Sequence, residues 1–122
     1  MTAVPRDVVI LACAISAGIH GALVPEHLEE SAGAGGGFIA STVLLAALAI
    51  WLTMRPDRAA VVSVVAVFAG LIVSYVLATT TGFPVLHPDV EAVDGLALFT
   101  KAIEAGGIVA AGLMLQAKGT LT

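Results

Sequence analysis

Charge is what this sequence has least of. Only 11% of its 122 residues are Asp, Glu, Lys or Arg, while 59% are hydrophobic. A soluble chain usually carries about 25% charged residues to cover its core. There is too little charge here to clothe a water-soluble globule, and the mean hydropathy of +1.06 points the same way. Basic residues number five and form no patch, which leaves nucleic acid out as a partner. One cysteine, Cys13, excludes an intrachain disulfide. Aromatics are scarce, with one Trp, one Tyr and four Phe. No nucleotide or hydrolase motif is present. The glycine-rich stretch 33–37 lacks the Lys of a phosphate-binding loop, and no Ser, His and Asp stand around a nucleophile elbow. An enzyme therefore has no support in the sequence.

What remains is Ala, Val, Leu and Gly, gathered into four apolar runs at 8–24, 37–54, 59–81 and 95–116. Each approaches the roughly 20 residues that cross a hydrocarbon core about 30 Å thick. None alternates like a barrel strand, so each satisfies its backbone internally as a helix. The fold class expected is an all-α integral membrane protein, a single domain over 1–122 built as an up-down bundle of four transmembrane helices. Pro25 ends the first run, and residues 26–37 are expected as a loop. Arg55, Pro56, Asp57 and Arg58 make a tight polar turn, Gly82 to Pro84 closes the third run, and Asp94 is placed to cap the fourth. The first run is longer than the apolar part of a signal peptide and follows a retained Met1, so it is expected as a membrane span.

Orientation follows from the basic residues. Arg6, Arg55, Arg58 and Lys118 all fall on one side of an even-numbered bundle, while Glu26, Glu29, Glu30, Asp89, Glu91 and Asp94 fall on the other. The positive-inside rule puts the basic side in the cytoplasm, hence both termini inside a plasma (inner) membrane. Trp51 stands near the cytoplasmic end of the second run as an interface anchor.

Candidate chemistry concentrates on the other side. His20 near the end of the first run, and His27 and His87 in the connections, share that side with the six carboxylates. Imidazole with carboxylate is a ligand set for zinc, copper, iron or manganese. The alternative is a solvated acidic loop. The connections also echo one another, as His27 and His87 are each followed two residues later by an acid. Chance explains that as well as duplication does.

The fourth run holds a sharper signal. Lys101 and Glu104 lie roughly 10 and 15 Å inside Asp94 at about 1.5 Å per residue, three apart and on one face. Buried charges at such depth mark a site or a self-satisfied pair. Ser16 is one turn from His20, Cys13 continues that stripe, and Tyr75 lies six residues inside position 81. His20, Tyr75, Lys101 and Glu104 are thus expected to converge, with Tyr75, Lys101 and Glu104 as cofactor-binding candidates and His20, His27, His87 and Glu104 as metal candidates. Small-residue pairs such as Ala14/Gly18 and Gly107/Ala111 suit close approach of the first and fourth runs. The second run looks lipid-facing.

The size and four-span plan are similar to small multidrug-resistance exporters, which work as dimers around an acidic residue in the first span. Here the first span carries His20 and no carboxylate, so that activity is not carried over. The leading expectation is a non-enzymatic membrane protein that binds a cation, a transition metal above all, from the outer face, with transport of that ion left open. The alternatives are an accessory subunit of a larger respiratory or transport complex, and a haem or redox-cofactor protein with His20 as ligand. Beyond the lipid bilayer, the partner expected is a second copy of the chain or such a complex.

Overall fold

In lipid, a chain must satisfy its backbone hydrogen bonds within itself, and an apolar helix does so residue by residue. The computed structural model describes residues 3–82 and 90–117. These form five helices: α1 (Ala3–Ala22), α2 (Val24–Glu30), α3 (Ala32–Met54), α4 (Arg58–Thr80) and α5 (Gly95–Gln116). The helices α1, α3, α4 and α5 are each long and apolar enough to cross a membrane. No strand occurs among the described residues. Hydroxyls on the long helices bond to carbonyls one turn back, as Thr42 does to Phe38, Thr53 to Ala49 and Thr100 to Leu96. That leaves few polar atoms unsatisfied on otherwise apolar surfaces.

The connection after α1 differs from the loop expected at 26–37. Pro25 falls in the first turn of α2, where its missing N–H is no loss. Ser31 then serves both neighbours. Its N–H donates to the His27 carbonyl at 3.0 Å, and its Oγ accepts from the Ala34 N–H at 2.9 Å. The glycine-rich stretch therefore opens α3 and is not a loop, even though helical glycine costs up to about 1 kcal/mol relative to alanine. Gly35 shows what is gained: a Cβ there would stand 2.8 Å from the Leu28 Cα. Only glycine lets α2 lie directly on α3.

The long helices share a core. α1 lies between α3 and α5, and α4 packs on α5 and less extensively on α3. Val9 and Cys13 of α1 meet Leu45 and Leu52 of α3, Val64 and Phe68 of α4, and Ala111 and Met114 of α5. The second run is thus not simply lipid-facing: α3 buries Leu45, Leu48 and Leu52 on one face. Its uniform apolarity hides that face from any periodicity, because lipid-facing and core-facing positions carry the same residue types. At Gly107 a Cβ would lie 3.0 Å from Phe68 Cδ2 and 3.1 Å from Ala12 Cβ, so this glycine sets how closely α5 approaches α4 and α1.

The far ends are tied off locally. Gly82 adopts φ 74°, a left-handed conformation open to glycine, and its N–H closes on the Leu77 carbonyl at 2.7 Å. Asp94 caps α5 as expected, accepting from the Ala97 N–H at 2.7 Å.

Candidate functional site

A buried polar chain begins on α1. Ser16 and His20 stand one turn apart, 0% and 6% exposed. The Ser16 Oγ lies 2.6 Å from Glu104 Oε2 and donates to it across the α1–α5 contact. Lys101 Nζ donates to the other oxygen, Oε1, at 2.7 Å, and sits 5.8 Å from the centroid of the Tyr75 ring. Glu104 is 0% exposed, and each of its oxygens accepts a hydrogen bond from a partner on this chain, one of them the charged Lys101. His20 Nδ1 stands 2.8 Å from the Ser16 carbonyl. A carbonyl only accepts, so Nδ1 carries a proton, and in a neutral ring Nε2 then holds the lone pair.

A second group forms above it. His27 and Glu30 are three apart on α2 and share a face. Glu91 comes from the segment leading into α5 and is held by its N–H on the Ala78 carbonyl of α4 at 2.7 Å. One ligand atom from each of His27, Glu30 and Glu91 lies within 4.8 Å of the others, the one such group of three among the described residues. A tetrahedral ion with bonds of about 2.0–2.2 Å separates its ligands by roughly 3.4 Å. A shift of roughly an ångström would gather these atoms round one ion. His27 is itself positioned: its Nδ1 lies 2.9 Å from the Leu23 carbonyl, and its ring stacks on Phe38 at 3.7 Å and 16°. The backbone contact fixes the tautomer and leaves Nε2 to ligate, as metal-binding histidines are commonly oriented.

Phe38 links the two groups, since His20 also packs against it, tilted 41° with centroids 5.1 Å apart. Both groups line one cavity of about 680 Å³. Its walls come from the C-terminal halves of α1 and α4, the N-terminal halves of α3 and α5, and α2. Among the described residues its lining includes four carboxylates, Glu26, Glu30, Glu91 and Asp94, against one ammonium, Lys101. The carboxylates stand toward the surface, with Glu26, Glu30 and Asp94 exposed. Such a mouth draws cations and repels anions.

Of the candidates from sequence, His20, Tyr75, Lys101 and Glu104 converge around the floor of this cavity, and His27 stands at its mouth. His87 lies outside the described residues. Glu30 and Glu91 were named only among the six carboxylates of that side, and Phe38 was not named. The spacing of His27 and Glu30 would have pointed to them had Val24–Glu30 been expected as a helix. Glu91 carried no local signal, because its place depends on a bond to α4. No protein-family model, curated protein or solved structure matches the chain.

Proposed function

We propose that this is a multi-pass plasma-membrane protein that captures a divalent transition-metal ion at His27, Glu30 and Glu91. The spans form an up-down bundle with both termini cytoplasmic, so the cavity opens on the outer side. Arg55 and Arg58 stand at the opposite end from the acidic mouth, which supports that orientation. The cavity joins C-terminal halves of α1 and α4 to N-terminal halves of α3 and α5, which supports the up-down arrangement. The observation that carries the metal reading is the meeting of His27 and Glu30 with Glu91, 64 and 61 positions away in sequence, within 4.8 Å.

Imidazole nitrogen with two carboxylate oxygens suits zinc, iron(II) or manganese better than a soft ion such as copper(I). Three protein ligands leave at least one coordination position open, unlike the closed shells of structural zinc sites. An open position lets the ion exchange, as capture for transport requires. The buried Ser16–Glu104–Lys101 chain fixes α5 against α1 beneath the site.

Calorimetric titration of detergent-purified, chelator-stripped protein with zinc and with manganese tests this. One saturable site per chain is expected, weakened about tenfold or more by His27→Ala and by Glu91→Gln. No binding, or binding indifferent to both substitutions, overturns it.

A further inference from the structure

The proposed metal site takes up only the mouth of the cavity. The full volume of about 680 Å³ falls in the ~300–1,000 Å³ range of small-molecule sites and far exceeds the space one ion fills. Its floor carries a polar pair that the metal does not use. His20 is 6% exposed and lines the cavity. Its Nδ1 turns back to the Ser16 carbonyl of its own helix, which aims Nε2 away from the backbone toward the cavity. That nitrogen has no hydrogen-bond partner among the described residues. Lys101 also lines the cavity. One of its three N–H groups is given to Glu104, which leaves two without a hydrogen bond among the described residues. Apolar walls surround this pair, from Ile19, Leu23, Leu71 and Leu96.

Charge narrows what can sit there. The four mouth carboxylates oppose entry of an anion, and at the floor Glu104 already takes up the Lys101 charge, so a charged group finds no free counter-charge there. A neutral group escapes both penalties. A hydroxyl donates one hydrogen bond and accepts another, matching a lone-pair nitrogen and an ammonium that line the same cavity. The rings of Phe38 and Tyr75 in the wall favour an aromatic body. We propose that the cavity floor binds a neutral, largely apolar phenol, whose hydroxyl donates to His20 Nε2 and accepts from Lys101 Nζ. The site is separate from the metal at the mouth and does not depend on it.

The test uses the full chain in phosphatidylcholine nanodiscs with a metal chelator present, so the metal reading does not enter. Binding of para-butylphenol, butylbenzene and para-butylbenzoate is measured by calorimetry, with empty nanodiscs setting the partition baseline. Saturable binding of the phenol to one site per chain is expected. Butylbenzene and the benzoate should bind at least about tenfold more weakly, one hydrogen-bonded group being worth that factor. His20→Phe and Lys101→Met should each weaken the phenol about tenfold. Phenol uptake equal to empty nanodiscs overturns the proposal. So does equal binding of butylbenzene, which would make the floor an apolar void, or tighter binding of the benzoate, which would make Lys101 an anion site. These comparisons are made on the unaltered protein and stand even if a variant fails to fold.

Discussion

Glu104→Ala should destabilise the protein chiefly by stranding the two buried groups that the carboxylate holds. The carboxylate is 0% exposed and holds two donors, the Ser16 hydroxyl at 2.6 Å and the Lys101 ammonium at 2.7 Å. Removing it strands an ammonium whose side chain is only 16% exposed. Breaking one partner of a buried ion pair costs about 3–5 kcal/mol in soluble proteins, and an orphaned hydroxyl adds about 1–3 kcal/mol. The two are not additive, and a chain unfolded within a membrane finds replacement partners. The expected loss is therefore about 2–4 kcal/mol. Removing both charges together, as Glu104→Leu with Lys101→Met, should cost less than about 2 kcal/mol, because no uncompensated charge stays behind. Cys13 supplies the assay. It is the sole cysteine and 0% exposed, so a thiol-reactive dye labels it only as the helices separate. A Glu104→Ala variant within about 0.5 kcal/mol of the parent, or a double variant as unstable as the single, would refute this account of the polar chain.

Three further outcomes follow from the packing and the mouth. Gly107→Ala should lose about 1–3 kcal/mol by overpacking against Phe68 and Ala12, and Phe68→Leu in the same chain should restore part of it in the dye assay. Gly35→Ala should lift α2 from α3, since the new Cβ meets Leu28; zinc affinity should drop about tenfold while helix content by circular dichroism stays constant. Zinc affinity should also fall steadily on acidification, because protons compete for imidazole and carboxylate ligands; titrations repeated at stepwise lower pH that give one unchanged affinity would contradict a His/Glu site.

Much of the fold was legible because the bilayer imposes a simple length rule. The fourth run matched α5 at both ends, and Asp94 could be placed as its cap from residue type alone. The start of α3 was obscured because glycine propensity argues for a loop, whereas the Ser31 cap and the contact between Gly35 and Leu28 decide for helix. The face of α3 that packs was invisible, since Leu45 in the core and Leu44 on the surface are the same residue type. At the site, the meeting of His20, Lys101 and Glu104 could be anticipated from depth along two helices that small residues bring together. The mouth could be anticipated only as His27 with the acids of that side, and not as its meeting with Glu30 and Glu91. Glu91 reaches His27 only through the backbone bond to Ala78, a tertiary contact with no trace in local spacing.

Anomalous diffraction from crystals grown with zinc tests the central claim most directly. The account predicts one peak per chain within bonding distance, about 2.0–2.2 Å, of His27, Glu30 and Glu91. A zinc peak elsewhere, at His20 for example, or none with the mouth open to solvent, would contradict it.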